Sequence, residues 1–222
     1  MTDLAERQDL AAPGLGHEAA KRLMDIALSL GLIIIVAPLL VALWCLVRMT
    51  SAGPALFRQE RLGRNSKPFT MLKLRTMYTD NDDRIHRDYI TNMLSADRAG
   101  EQDKNGLFKL DGDPRVTPLG MWLRKTSLDE LPQLINVLRG EMSLVGPRPV
   151  LPWEAHMFGE RYQPRFAVKP GITGLWQVSG RSRLSMRSAL ELDVEYAIHR
   201  SFTLDLMILI RTVPAVLRGA AR

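Results

Sequence analysis

One apolar run dominates the pattern of this chain. From Ile26 to Val47 the sequence IALSLGLIIIVAPLLVALWCLV carries no charge over 22 residues. A straight helix of that length is about 33 Å long, enough for a hydrocarbon core of about 30 Å. Pro38 falls near its middle, and an interior proline removes a backbone bond and bends a helix. Two membrane readings stay open on the pattern alone. Hydropathy favours a kinked helix that spans the bilayer. The alternative is a re-entrant hairpin with arms Ile26–Ala37 and Pro38–Val47, about 18 and 15 Å long, each dipping partway. A buried core helix is the weakest reading, because the run is apolar on every face.

Outside that run the pattern changes character. ALFRQ (55–59) and PFTMLKLR (68–75) predict two paired strands joined by the turn-rich LGRNSK. In the second strand Thr70, Leu72 and Leu74 share one face, and Met71, Lys73 and Arg75 the other. Leu131, Leu134, Ile135 and Leu138 follow helical spacing and predict a helix ending at Arg139-Gly140. Arg187–His199 predicts a second amphipathic helix. Thr203–Leu217 predicts a third, very apolar and interrupted by Pro214, which reads equally as an interfacial helix or a core helix. Residues 1–20 read as a flexible arm, and 76–115 as a helix plus a variable loop. The fold class expected is α+β and mostly helical, with a small β-hairpin. Its parts are the arm 1–20, a membrane segment 21–48 and a domain over 49–222.

Composition narrows the partners. Thirty Lys and Arg against 24 Asp and Glu give a net charge of +6, and residues 48–222 carry +8. The excess is densest beside the apolar run, where residues 48–75 hold seven Lys/Arg and one Glu. Such a balance points to anionic partners: a lipid headgroup layer, phosphorylated metabolites or nucleic acid. The single cysteine, Cys45, excludes an internal disulfide framework, and four scattered histidines give no metal-site spacing. No P-loop and no GxGxxG occurs.

The chemistry is concentrated in RKTSLDELPQLINVLRGEMSLVGPRP, residues 124–149. Ser127 and Glu130 fit a capping box, which by itself would make Glu130 a helix cap. Asp129 and Glu130 sit at or just before a helix start. An ionised Asp there can bind a divalent cation or attack phosphorus. Neighbouring residues share no helix face, so two distinct roles suit the pair better than a matched couple. Cations surround them in tight turns: Arg124 and Lys125; Arg148 between Pro147 and Pro149; Lys169 before the PGITG turn; and Arg181 after Gly180. Gly171 and Gly174 would let backbone N–H groups approach an anion. Arg and Lys around a carboxylate pair suit a diphosphate with a bridging Mg²⁺. The D-x-D spacing in Asp80–Asp83 reads as a solvated loop, and Trp153, Trp176 and Tyr162 as packing residues.

Read in order, several stretches closely resemble the bacterial sugar transferase family, the monotopic polyprenyl-phosphate phosphoglycosyl transferases. They are Lys21-Arg22-x-x-Asp25, the apolar run with Pro38, KLRTM (73–77), SLDELPQL (127–134), RGEMSLVGPRP (139–149), KPGITGLWQVSGR (169–181) and LELDVEY (190–196). The resemblance covers roughly residues 21–218 and points to the minimal, single-domain form. It implies transfer of a sugar-1-phosphate from a UDP-sugar to a membrane polyprenyl (undecaprenyl) phosphate, releasing UMP, as the first membrane step of exopolysaccharide, capsule or O-antigen synthesis. It implies that Asp129 is the nucleophile, forming a covalent phosphosugar intermediate, with Glu130 its partner acid and Mg²⁺ at Asp129. It implies phosphate-binding roles for Arg148, Arg124, Lys73 and Arg75, and nucleotide-binding roles for Lys169, Gly171, Thr173, Gly174 and Arg181. It implies headgroup contacts for Lys21 and Arg22, and a re-entrant helix–break–helix at Ala37-Pro38, where many members carry Ser-Pro. The expected location is the cytoplasmic face of the bacterial inner membrane, among its lipids. The sugar and the oligomeric state, a homodimer included, stay open. The alternative is a basic, membrane-tethered nucleic-acid-binding or scaffold protein. With no reading helix and no aromatic platform, nucleic acid is not an expected partner.

Overall fold

The computed structural model describes residues 15–79, 84–99, 113–180 and 184–220. Most of the 1–20 arm, the Asp80–Asp83 run and Arg181 lie outside them. The apolar run becomes helix α1 (Leu15–Thr50), 36 residues long. Helical backbone continues through Ala37 and Pro38, so the expected break does not divide α1 into two elements. The physical reason is that proline's fixed φ is itself helical, and only one donor is lost. Asp25, Ser29, Leu43 and Val47 are buried, and Ile33 and Val36 pack partly against the body. These positions lie along one stripe of the helix. Leu30, Ile34, Ile35, Val41 and Trp44 are exposed. Only 11% of the most apolar window in this helix is buried, and it is long and apolar enough to cross a membrane.

The predicted hairpin is present as β1 (Leu56–Leu62) and β2 (Pro68–Leu74), antiparallel. Its turn is a 3₁₀ piece, Arg64–Ser66, with Asn65 and Ser66 at positive φ. The register sets Arg61 opposite Phe69, Gln59 opposite Met71 and Phe57 opposite Lys73. Directly opposed residues project on the same side, so Gln59, Arg61, Met71 and Lys73 share one face. Next come α2 (Arg84–Ala99) and α3 (Pro118–Thr126). The start of α3 is fixed by Thr117, whose hydroxyl accepts from Gly120 N at 2.9 Å. A single 3₁₀ turn, Leu128–Glu130, leads to α4 (Gln133–Arg139), which ends at Gly140 as the spacing predicts.

A second, parallel pair follows, β3 (Ser143–Val145) and β4 (Gly171–Thr173). Between them lie α5 (Pro152–Met157) and a 3₁₀ stretch, Glu160–Ala167. The chain closes with α6 (Leu175–Ser179), α7 (Met186–His199) and α8 (Phe202–Ala220). Helix α8 runs on through Pro214, where an interruption was expected. It has two characters at once: Ile208 is fully buried, whereas Phe202, Leu206, Ile210 and Val213 are exposed.

Three apolar clusters hold these elements. The largest joins α4, β3, α7 and α8 under the middle of α1. A second packs α2 and α7 around Phe158, Phe166 and Trp176. The third seats Leu43 and Val47 of α1 on Ala55, Leu74 and Leu123. Trp176 is therefore a core residue, as expected. Tyr162 packs edge-on to Phe158, and Arg87 lies over the ring of Trp153.

Candidate active site

The hairpin face that carries Lys73 is directed at the 3₁₀ turn after α3. Lys73 Nζ bonds Glu130 Oε1 at 3.0 Å. A narrow cleft opens beside this pair. It is lined by Arg61, Met71, Lys73, Glu130, Gln133, Arg148, Pro149, Gly171, Ile172 and Gln177. Its lining combines charged side chains, two carboxamides and backbone. Gln177 Oε1 is buried there without a hydrogen-bond partner among the described residues.

Asp129 precedes Glu130 on the same turn and is buried, 7% exposed. Its charge acts on Arg124 of α3, whose Nε also donates to Thr76 Oγ1 at 2.9 Å. Burial pulls the Arg124 guanidinium below its ordinary pKa, and Asp129 and then Asp113 pull it back up. Arg61 behaves similarly: burial pushes it down to about 10, opposed by Glu154, while Arg148 adds to the lowering. Both remain cations at neutral pH.

Ser127 does not cap this turn as the S-x-x-E pattern suggested. It sits in the left-handed region, φ 59°, and ends α3 by donating its N–H to the carbonyls of Leu123 and Arg124. Glu130 is thereby released from the capping role and pairs with Lys73.

Lys73, Glu130, Arg148 and Gly171 meet in the cleft, with Asp129 and Arg124 adjacent. Other expected site residues are held elsewhere. Arg75 is turned to the C-terminal end of α1, donating to Pro54 O at 2.6 Å, Ser51 O at 2.8 Å, Ser51 Oγ at 2.9 Å and Val47 O at 3.4 Å. The last carbonyls of a helix lack partners, and a cation there also meets the negative end of its dipole. Gly53, at φ +105°, makes room: an added Cβ would stand 2.6 Å from Arg75 Nη1.

Lys21 and Arg22 are likewise turned inward rather than toward headgroups. Arg22 donates to Val137 O at 2.6 Å and Leu138 O at 2.7 Å, closing the end of α4. Lys21 pairs with Asp205 at 2.8 Å and donates to Val145 O at 3.1 Å. Tyr196 donates to Asp205 at 2.6 Å, and burial followed by that carboxylate pushes its phenol well up. Lys169 does not line the cleft; it stands near Gly140 and Arg22, and burial and then Arg22 lower its pKa.

Gly171 and Gly174 serve backbone packing. An added Cβ would come within 2.1 Å of Gly146 N at the first and 2.3 Å of Gly146 O at the second. This close approach joins β4 to the Gly146–Pro149 loop. Thr173 takes part through its backbone oxygen, which accepts from Gly146 N at 2.9 Å, while its hydroxyl meets Thr212 at 2.8 Å.

The model of the bacterial sugar transferase family matches residues 16–219. The chain belongs to that family. As a member it is a transferase, and the cleft, the Asp129-Glu130 turn and the GPRP loop all fall inside the matched span. It is 38% identical over 197 residues to the exopolysaccharide production protein ExoY of Sinorhizobium fredii, covering 89% of this chain and 85% of that one. It is 41% identical over 198 residues to the undecaprenyl-phosphate galactose phosphotransferase of Salmonella typhimurium, covering 89% of this chain and 40% of that protein. It is 41% identical over 204 residues to the undecaprenyl-phosphate glucose phosphotransferase of Komagataeibacter xylinus, covering 87% and 35%. The transferase thus spans most of the ExoY-sized relative and two-fifths or less of the other two.

Sequence reasoning missed Arg61, Glu154, Arg165 and Asp193. Arg165 bonds Asp193 at 2.6 Å and donates to Arg148 O at 2.8 Å, from a site only 3% exposed. Burial raises the Asp193 carboxyl above its ordinary value and Arg165 opposes it. The available signal was LELDVEY, in which an acid falls between positions that face the core.

Proposed function

We propose that the chain transfers a sugar-1-phosphate from a UDP-sugar to a polyprenyl phosphate at the cytoplasmic face of the bacterial inner membrane, starting an exopolysaccharide-type glycan. The observation that carries this is the convergence of Lys73, Arg61 and Arg148 on the cleft beside Glu130, with buried Asp129 against Arg124, on a body that carries an exposed apolar helix. Cations fixed in a partly dry site stabilise phosphoryl charge without reorganising. The relatives named for undecaprenyl-phosphate sugar transfer support the acceptor.

The reaction balances in two displacements. A carboxylate oxygen of Asp129 attacks the sugar-bearing phosphorus, the bridging P–O bond breaks, and UMP leaves with that electron pair. An oxygen of the prenyl phosphate then attacks the same phosphorus and releases the carboxylate. Two steps let a soluble donor and a lipid acceptor use one site in turn. Lys73 neutralises Glu130 and faces the incoming phosphates with Arg148, while Arg124 holds Asp129. Mg²⁺ fits this donor set. Mg²⁺ is commonly held by one or two carboxylates plus substrate phosphates, and the turn carries two adjacent carboxylates. Asp129 would hold it, and it would neutralise diphosphate charge.

The same reading places α1 in one leaflet. Arg22 bonds α4 and Lys21 bonds Asp205, while Val47 and Ser51 bond Arg75. Both ends of the apolar segment are therefore held on one body, which supports re-entry over spanning. The exposed apolar positions of α8, with Met121 and Trp122 of α3, would rest in the interface. The test is UMP release from a panel of UDP-sugars with undecaprenyl phosphate. Turnover by the wild type and its loss in Asp129→Asn, with membrane association unchanged, is the expected result. Near-normal turnover in Asp129→Asn refutes the assignment. Salt-sensitive nucleic-acid binding without turnover would favour the alternative class.

A further inference from the structure

The loop that presents Arg148 is pinned along its main chain at six consecutive residues. Gly146 N donates to Thr173 O at 2.9 Å, and Pro147 O accepts from Gly171 N at 2.8 Å. Arg148 O accepts from Arg165 Nη2 at 2.8 Å, and Pro149 O accepts from Arg61 Nη1 at 3.3 Å. Val150 O accepts from Leu62 N at 2.9 Å, and Leu151 N donates to Glu154 Oε2 at 2.8 Å. Five of the six partners come from β4, β1 and the Glu160–Ala167 stretch, so the loop's path is set by tertiary structure.

Arg61 differs from the other partners. Unlike Arg165 and Glu154, it both bonds the loop's main chain and lines the cleft. Its guanidinium is oriented on two sides. Nε and Nη2 donate to Gln59 Oε1 at 3.1 and 2.7 Å, and Nη1 lies 3.5 Å from Glu154 Oε2. Glu154 in turn holds Leu151 N, so one carboxylate ties Arg61 to the far end of the loop. Most of the fork is spent on protein partners, which argues for holding rather than for gripping substrate. Arg61 also stands within electrostatic reach of Arg148 and Glu130, so a shift in it is felt in the cleft.

Building on the function proposed above, we propose that Arg61 is a positioning residue. From strand β1 it fixes the Pro149 carbonyl, and with it the direction in which Arg148 leaves the loop toward the acidic pair. A lysine there keeps the charge but loses the fork that spans Gln59, Pro149 and Glu154. Positioning errors near 1 Å are costly in phosphoryl transfer, where catalysis is mostly geometry and charge.

The test uses the full chain in lipid nanodiscs, with the UDP-sugar that the panel identifies. Arg61→Gln, Arg61→Lys and Glu154→Gln are each made in the wild type and in an Arg148→Lys background. The expected result is a loss in kcat/KM of roughly 10- to 100-fold for Arg61→Gln, carried mainly by KM for the sugar nucleotide, with partial rescue in Arg61→Lys. In the Arg148→Lys background the same change should cost no more than about twofold, because both act through one arginine. Glu154→Gln retains an acceptor for Leu151 N and gives the same coupling where Arg61→Gln folds poorly. Equal losses in both backgrounds make Arg61 a structural residue and overturn the inference alone. A wild type that turns over no sugar nucleotide overturns the functional reading, and this inference with it.

Discussion

Replacing Arg75 by methionine separates two roles that the KLRTM stretch leaves confounded. Methionine keeps most of the volume and removes every donor. In the structure those donors serve the carbonyls of Val47, Ser51 and Pro54 and the Ser51 hydroxyl, from a side chain only 6% exposed. A hydrogen bond to a charged group contributes about 1.5–3 kcal/mol, and each carbonyl left buried and unpaired costs about 1–3 kcal/mol. Against this stands the cost of burying the guanidinium, which already lowers its pKa. A net loss of about 3 kcal/mol is a fair balance. For a chain of this size that corresponds to a fall in Tm of roughly 6–12 °C. The assay is thermal unfolding in nanodiscs, with KM for the sugar nucleotide measured well below the transition. The account predicts a large fall in Tm and a KM changed by less than about twofold. An unchanged Tm with a tenfold higher KM would return Arg75 to phosphate binding and refute the clamp.

Other outcomes follow from the same geometry. Glu18 and Arg64 pair at 3.1 Å, so Glu18→Cys and Arg64→Cys in a Cys45→Ser background should label from the same membrane face; labelling from opposite faces contradicts re-entry. Lys169→Met should leave KM for the sugar nucleotide within about twofold and Tm equal or higher, since burial and Arg22 both disfavour its charge; a large rise in KM would put Lys169 back at the nucleotide. The hydrogen bonds of Arg115 hold the Asp113 carboxyl below its ordinary value of 3.8, so its stabilisation is present above that pH and lost as pH falls through the lowered value. The Tm gap between wild type and Asp113→Asn should accordingly be full at pH 7 and close in acid, and a gap independent of pH would exclude the ion pair as its source.

The parts of the fold legible in sequence are those long enough to show a period. The hairpin pairs seven residues per strand across a turn-rich joint, and α4 repeats its apolar positions before a glycine stop. Strands β3 and β4 have three residues each, and α5 and α6 have six and five, too few to establish periodicity. Their existence depends on tertiary partners such as the close packing of Gly146 on Gly171. Charged residues misled in both directions. Lys21 and Arg22 precede the apolar run and Arg75 belongs to the KLRTM stretch, yet each is drawn to carbonyls of neighbouring elements, two of them to helix C-terminal ends. Nothing in the charge pattern singles out Arg61 or Asp193, and only the folded contacts with Pro149, Glu154 and Arg165 reveal them as buried. The acidic pair was visible because its chemistry needs adjacent carboxylates among cations. At Pro38 the helix assignment is continuous, because a proline marks a lost bond and not by itself the end of a helix.

The central claim is that Asp129 takes the phosphosugar onto itself before the lipid arrives. It is tested most directly by mixing the wild type with its UDP-sugar in the absence of prenyl phosphate, quenching, and mapping the peptide that contains Asp129 by mass spectrometry. The account predicts one sugar-phosphate adduct on Asp129 with release of about one UMP per chain, discharged on adding undecaprenyl phosphate and absent in Asp129→Asn. UMP release that requires the acceptor, with no adduct at any time, would mean direct displacement and would contradict it.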